Sequence, residues 1–319
     1  MLRRRKDRCC MSNRLTESTP ADVERALTPA LGRGLRVHRL HASGFCATWR
    51  ATRGGVVAFV KTVPASRAAV LHAEADGLRA LAASGAVRVP AVLALDDAAA
   101  CGMTLLALEW LDLCPPDAGF GARLGAALAA LHAAASPALP AGARFGWPRD
   151  NWIGATPQSN APHADWQEFF NRQRLAALCR RLLAADPSHA ALCATVEAVM
   201  ARWPALLQDG HVPQPSLLHG DLWSGNWGML ADGKPVIFDP AVAVGDAEAD
   251  LAMMELFGAP PPGFWPAYRA AGRGLHPGYG RRRAVYQLYH LLNHALLFGG
   301  GYARQALSLA QQVLRTVAG

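Results

Sequence analysis

Three side chains in one stretch could do chemistry together: Asp221 and Asn226 in Leu217-Leu218-His219-Gly220-Asp221-Leu222-Trp223-Ser224-Gly225-Asn226, and Asp239 at the end of Pro235-Val236-Ile237-Phe238-Asp239. Asp232-Gly233 between two apolar runs is a hairpin signal, which folds residues 227–230 back on 235–238. Asn226 and Asp239 then flank the open ends of one hairpin, and paired strands lie about 4.8 Å apart. An amide oxygen and a carboxylate at that separation can share Mg²⁺, a hard cation that completes its shell with phosphate and water. Asp221, one loop earlier, faces the same metal-bound phosphate. The chemistry this set can do is phosphoryl transfer to a hydroxyl. Each residue also has an ordinary reading: Asp221 in a turn, Asn226 as a strand-edge cap, Asp239 in an Asx-turn before Pro240. Jointly, the chemical reading accounts for all three.

The spacing of an Asp and an Asn five residues later is also that of the protein-kinase catalytic loop, where the Asp takes the hydroxyl proton and the Asn holds Mg²⁺. A second constellation lies nearer the N-terminus. Lys61 ends the strand-like run Val56 to Val60, on the side of Val57 and Phe59. Glu74 projects from the apolar stripe of a helix, three residues after Leu71 and four before Leu78. A carboxylate on a buried face needs a cation. Pairing Glu74 with Lys61 meets that need and aims the ammonium at nucleotide phosphates; otherwise the lysine reaches solvent and the glutamate sits on a surface helix. The turn His41-Ala42-Ser43-Gly44-Phe45-Cys46 is placed to cover phosphates, with Ser43 and Gly44 as the contacts, although it has one glycine where a G-x-G-x-x-G loop has three. Cys46 there is either redox-sensitive or a small buried hydrophobe.

These residues need a sheet and helices to hold them. Cys46 to Arg53 and Val56 to Val60 read as two strands joined by Gly54-Gly55, and a helix follows from Ser66, as N-cap, to Ala83, stopped by Ser84-Gly85. Thr104 to Leu111 suits a buried strand, but periodicity alone leaves helix open. Beyond Leu111 helical patterns dominate, at 121–135, 166–183, 190–207 and 281–298, and strand-like text returns only around Leu217 to Pro240. The expected fold class is α+β, bilobal: a small sheet-bearing N-lobe at 15–111 and a larger, mainly helical C-lobe at 112–319, joined near Glu109-Trp110-Leu111.

At 319 residues, with 51% hydrophobic and 18% charged, the chain can bury a core of that size. The net charge of +8 does not mark a nucleic-acid binder, because Arg3, Arg4, Arg5, Lys6, Arg8 and Arg14, against Asp7, concentrate it in a tail over 1–14. That tail lacks the apolar run of a secretory signal, and Met11 offers an alternative start. The seven cysteines show no CxxC spacing, which fits a reducing cytoplasm. The uncharged stretches after Arg123 and at 284–303 are broken by prolines or carry Gln287, His290, Asn293 and His294, so no membrane span is expected.

With these residues in hand, the chain from about Leu15 onward resembles the fructosamine kinases, ketosamine 3-kinases distantly related to protein kinases and aminoglycoside phosphotransferases. The resemblance is carried by His219 to Asn226, Phe238-Asp239-Pro240-Ala241, Glu248-Ala249-Asp250-Leu251-Ala252-Met253, Tyr286 to His294, Arg149 to Gly154 and Asp165 to Phe170. It implies a protein-kinase-like fold, ATP with Mg²⁺, and phosphorylation of the 3-hydroxyl of a free or protein-bound ketosamine, after which the sugar leaves the amine. By matching position it implies Asp221 as catalytic base, Asn226 and Asp239 as metal ligands, and Lys61 with Glu74 as the phosphate-positioning pair. It likewise makes Glu109, Trp110 and Leu111 the adenine connector, and His219 and Asp250 supports of the catalytic loop. Trp223, Asp150, Asn151 and His294 are substrate contacts on this reading, and packed or hydrogen-bonded residues on the other. Two departures stand out: the glycine-poor loop bears on nucleotide affinity, and Val242-Ala243-Val244, where relatives often carry an aromatic pair, bears on substrate choice. A kinase for an aminoglycoside, choline or another small alcohol, and a kinase-shaped binding protein without activity, are the rival readings. The expected partners are a ketosamine and no nucleic acid, with the protein a monomer or homodimer.

Overall fold

The structure is a computed structural model that describes residues 18–43, 45–98, 101–272 and 274–317. The basic tail at 1–14 and Gly44 of the phosphate turn lie outside the described residues. The chain divides into two compact units, one of residues up to His72 with Val92–Trp110, the other of Ala73–Ala91 with Leu111 onward. Residues 73–91, which the sequence reading groups with the N-lobe, thus cluster with the second unit.

The first unit opens with helix α1 (Pro20–Leu31), capped by Thr19, whose hydroxyl accepts from the Asp22 amide while Asp22 reaches back to the Thr19 amide. Its five-stranded sheet comprises β1 (Arg36–Ala42), β2 (Ala47–Arg53), β3 (Val56–Pro64), β4 (Val92–Asp96) and β5 (Met103–Glu109), in the order β1-β2-β3-β5-β4. The run at 104–111, open between strand and helix by periodicity, is a strand as far as Glu109 because β3 and β4 pair with it on either side. Val23 and Leu27 of α1 pack with Trp49, Val60 and Leu105 into one core, in which Trp49 donates through Nε1 to Thr62 Oγ1 at 2.9 Å. A buried indole N–H thereby keeps its partner.

Helix α2 (Ala68–Ala83) follows a single 3₁₀ turn at Ala65–Arg67, so Ser66 lies inside that turn and does not cap the helix. The second half of α2 belongs to the second unit, where a Cβ on Gly77 would meet Pro240 and Val242 at 3.3 and 3.2 Å. Beyond α2, Arg88 bridges Val236, and its carbonyl accepts from the Ile237 amide at 3.0 Å. These contacts explain why 73–91 clusters with the second unit.

The second unit continues with β6 (Leu113–Cys114), α3 (Phe120–Ala133), the hairpin β7 (Asn151–Ile153) and β8 (Thr156–Gln158), α4 (Trp166–Phe170), α5 (Ala176–Ala185), α6 (Ala190–Met200) and the short α7 (Trp203–Leu206). Then come β9 (Pro215–Leu218), β10 (Trp227–Leu230), β11 (Pro235–Ile237), β12 (Ala243–Asp246), α8 (Glu248–Met254), α9 (Phe264–Ala270), α10 (Tyr279–Phe298) and α11 (Gly301–Val317). Strands are therefore not confined to 217–240: β6, β7, β8 and β12 have two to four residues each, too short for alternation to show. The helical pattern at 166–183 is interrupted by a π turn at Asn171–Leu175, and that at 190–207 breaks after Met200. Among the described residues, no helix is long and apolar enough to cross a membrane.

Trp166, Phe169, Phe170, Trp203 and Tyr286 form the aromatic centre of this unit, with Phe170 edge-on to Tyr286 at 5.2 Å. Beside them α10 is latched by charge. Arg282, fully buried, donates to Glu248 through Nε at 2.6 Å and Nη2 at 2.9 Å, and through Nη1 to Asp209 at 2.7 Å. One turn on, the Tyr286 hydroxyl donates to Asp246 at 2.7 Å, and His211 Nε2 lies at the same distance from that carboxylate. His211, Asp246 and Glu248 are close enough to share a metal, but Arg282 and Tyr286 already engage both carboxylates.

Candidate active site

The loop at 219–226 joins β9 to β10, and both flanking strands are tied down. β9 pairs with β12, Leu218 opposite Ala243. β10 pairs with β11, Trp227 opposite Ile237, and the Phe238 amide donates to the Asn226 carbonyl at 3.0 Å. The hairpin read from Asp232-Gly233 is present, and it puts Asn226 and Asp239 at its open end.

Asp250, the third residue of α8, holds the start of the loop. It is 1% exposed and accepts from the His219 amide at 2.7 Å, the Gly220 amide at 2.8 Å and His132 Nε2 at 3.3 Å. Burial opposes its charge, yet the hydrogen bonds, led by that from His132, hold its carboxyl below the usual range. His219 is also buried. Its Nε2 donates to the Phe238 carbonyl at 2.9 Å while Nδ1 accepts from the Asp221 amide at 3.2 Å, which fixes one neutral tautomer. Burial pushes this imidazole's pKa down, in keeping with that state. His219 therefore fixes the backbone on both sides of the hairpin mouth.

Gly220 stands at φ +83°, and a Cβ there would lie 2.0 Å from the Ala241 carbonyl oxygen. That approach lets the Ala241 amide bond the His219 carbonyl at 2.8 Å. Gly220→Ala combines a disfavoured backbone state with a clash against main chain, so we expect a loss of about 2 kcal/mol or more in denaturant unfolding. An unchanged midpoint would show that the loop can re-form around a side chain.

Asp221 is half-buried, and the Asn226 amide nitrogen donates to its carbonyl at 2.8 Å and toward its carboxylate at 3.3 Å. Burial first, then the negative charge of Asp239, pushes the Asp221 carboxyl up to about 7, against the lowering effect of Asn226. With the nitrogen of Asn226 committed to Asp221, its carbonyl oxygen is the end left to face a ligand. Asp239 has φ +58°, the single non-glycine positive value among the described residues. Two carboxylates, the charge of Asp239 acting on Asp221, beside an amide oxygen form a hard-oxygen donor set, which fits a divalent cation such as Mg²⁺.

The remaining candidate residues fall in different places. Lys61 is 9% exposed in β3, with Leu106 of β5 and Thr48 of β2 opposite it, and Glu74 is half-buried on α2. The hydroxyl of Ser43 is used inside its own turn, accepting from the Phe45 and Cys46 amides at 3.2 Å each. Glu109 ends β5, and the Trp110 ring is 4.7 Å from the Arg50 guanidinium. Leu111, where the chain re-enters the second unit, accepts through its carbonyl from the Leu113 amide at 3.1 Å.

Asn151 is 4% exposed and its side chain is consumed internally, donating to the Val242 carbonyl at 2.8 Å and accepting from Gln158 and Asn160 at 2.8 Å each. The structure uses it as a brace between β7 and the segment after Asp239, not as a presented contact. Asp150 is exposed and accepts from the Asn160 amide at 2.8 Å. Trp223 is 39% exposed, and its ring lies so low over the loop that a Cβ on Gly225 would come within 2.4 Å of it. His294 donates through Nδ1 to the His290 carbonyl at 2.8 Å and stands 5.0 Å from the Phe257 ring. Sequence reasoning missed Phe257, which lies in the loop after α8 and carries no motif of its own.

Comparison with known proteins bears on this geometry. Residues 23–316 match the family described as "Fructosamine kinase". The chain belongs to the fructosamine kinase family. A relative named "Probable ketoamine kinase" from Synechocystis sp. is 44% identical over 260 residues, covering 81% of this chain and 83% of that protein. One of the same description from Escherichia coli K12 is 37% identical over 295 residues, covering 92% and 96%. Among solved structures, one named for fructosamine-3-kinase from Thermobifida fusca superposes with a TM-score of 0.80 at 34% identity, covering 92% of this chain and 98% of that one. The aminoglycoside phosphotransferase APH(4)-Ia shares the fold, with a TM-score of 0.60 at 18% identity, covering 94% of this chain and 100% of that one. The fructosamine kinase family and this protein-kinase-like fold make the chain a small-molecule phosphotransferase acting on ketosamines. Membership also implies use of ATP with a divalent metal.

Proposed function

We propose that this member of the fructosamine kinase family transfers the γ-phosphoryl group of ATP to the 3-hydroxyl of a ketosamine, and so promotes release of the sugar from its amine. What chiefly supports this is the convergence of Asp221, Asn226 and Asp239 at one hairpin mouth, in a loop that Asp250 and His219 lock from behind.

Asp221 orients the acceptor hydroxyl and takes its proton as the new P–O bond forms and the bond from the γ-phosphorus to the bridging oxygen breaks, releasing ADP. Asn226 and Asp239 would hold the divalent ion, which would supply the positive charge that neutralises the phosphoryl group in transfer. Asn226 has a second task, since its amide nitrogen positions the Asp221 main chain. For Ser43, Gly44, Lys61, Glu74, Glu109, Trp110 and Leu111 we infer nucleotide-binding roles from the family match alone. Phosphate at C3, next to the C2 carbonyl, labilises the adduct, which then comes off the amine.

The test is purified protein with ATP, Mg²⁺ and lysine adducts derived from fructose, ribulose and erythrulose, compared by kcat/KM, with the phosphate position assigned by phosphorus NMR. Magnesium-dependent formation of the 3-phosphate is the expected result. Turnover of an aminoglycoside or choline with no ketosamine phosphorylated, or ATP binding with no product, would overturn the proposal.

A further inference from the structure

Beyond the catalytic loop, the second unit presents a row of rings to solvent. Trp223, two residues past Asp221, meets Phe257 edge-on at 6.5 Å; Phe257 meets His294 at 5.0 Å; and His294 meets Phe298 at 5.4 Å and Tyr302 at 5.1 Å. Trp223, Phe257 and Phe298 are 39%, 39% and 67% exposed. Three large exposed aromatics in one contiguous row are more than scattered surface residues, and such patches mark binding surfaces. They come from three separate places in the chain: the loop after β9, the loop after α8, and the end of α10.

The row also holds an imidazole whose orientation is fixed. Because His294 Nδ1 donates to the His290 carbonyl, the lone pair of the neutral ring sits on Nε2, the face left for a ligand N–H. The Trp223 indole is held by contact, with Phe257 against it and Gly225 directly beneath. A set of π-faces around an imidazole acceptor suits a cation bearing N–H groups and an apolar substituent. A polyol alone would call for more hydrogen-bonding groups than this row contains.

We propose that the row Trp223–Phe257–His294–Phe298 is the subsite for the amine half of the acceptor. The protonated secondary amine lies against Trp223 and Phe257 with its N–H directed to His294 Nε2, while Phe298 and Tyr302 cover the apolar stem of the amine carrier. The occupant follows from continuity: Trp223 belongs to the loop whose Asp221 fixes the reacting hydroxyl, so the row begins where the sugar ends. This rests on the ketosamine reading above and adds which residues select the amine.

The experiment uses the full chain and three variants, Phe257→Leu, Phe257→Tyr and Phe298→Ala, with ATP and two ketosamines of one sugar, one carried on methylamine and one on a long alkylamine. Phe257→Leu keeps the apolar volume but removes the π-face. It is expected to raise KM about tenfold for both ketosamines, equivalent to about 1.4 kcal/mol, with kcat within twofold and KM for ATP unchanged, and Phe257→Tyr should restore the wild-type value. Phe298→Ala should raise KM for the long-chain adduct alone. Loss of kcat in Phe257→Leu, a parallel rise in KM for ATP, or equal KM values in wild type and Phe257→Leu would each overturn the subsite. If the wild-type protein phosphorylates neither ketosamine, the parent reading fails and the subsite with it. If it phosphorylates both and the variants match it, the subsite fails alone.

Discussion

Asp221→Asn is expected to lower turnover at least about a hundredfold, the usual scale for loss of a general base, while the protein stays folded and still binds nucleotide. The substitution keeps the shape of the side chain. It leaves the hydrogen bond from Asn226 to the residue 221 carbonyl and that from the residue 221 amide to His219 in place. It also removes a charge that burial and Asp239 both disfavour, so the fold has no reason to weaken. Rate measured by ADP release, nucleotide binding by calorimetry and thermal midpoint by fluorescence together separate chemistry from folding. Near-normal turnover would contradict the assignment of the base.

The largest effect on stability should come from Arg282. Replacing it with Met keeps most of the side-chain volume but leaves the buried Glu248 and the neighbouring Asp209 without their cation. Breaking a buried pair from one side costs about 3–5 kcal/mol, read as a fall in the denaturant midpoint. The pH response carries a second signature. Burial works against the charge of Asp209, but the hydrogen bonds from Arg282 and from the Gly278 and His211 amides, with the charge of Arg282, together outweigh it and hold the carboxyl down at about 2. A folded value below the unfolded one contributes stability that is present above about pH 4 and lost as the pH falls toward 2, worth about 2 kcal/mol in all. In Arg282→Met that part of the acid limb should flatten. A variant as stable as the parent, with the same acid profile, would mean the latch contributes nothing.

The legible parts of this chain were those specified locally. Asp232-Gly233 fixes a hairpin, and that hairpin alone sets Asn226 beside Asp239. Gly54-Gly55 likewise joins β2 to β3 and puts Lys61 in the strand where the apolar pattern ends. What escaped was made by distant pairing. β6 is two residues long and exists because Cys114 lies opposite Met229. β12 is a strand through its pairing with β9, and Asn151 is a brace because β7 and β8 bring Gln158 and Asn160 to it. Ser66 looked like a cap, but a 3₁₀ turn intervened, and residue type does not distinguish the two. Asp250 was found through the family words around it; its hydrogen bonds to the His219 and Gly220 amides come from a helix thirty residues on, a separation no local pattern encodes.

The left-handed backbone at Asp239 sets the fold and its work against each other. A side chain in that region is held at a cost of about 1 kcal/mol or more, and here it also sits in the field of a second acid. Asparagine tolerates the same backbone more readily and carries no charge, so Asp239→Asn should give a sturdier molecule that has lost its grip on metal nucleotide. Selection for robustness alone would drift toward that amide; the carboxylate persists only while the enzyme is being used.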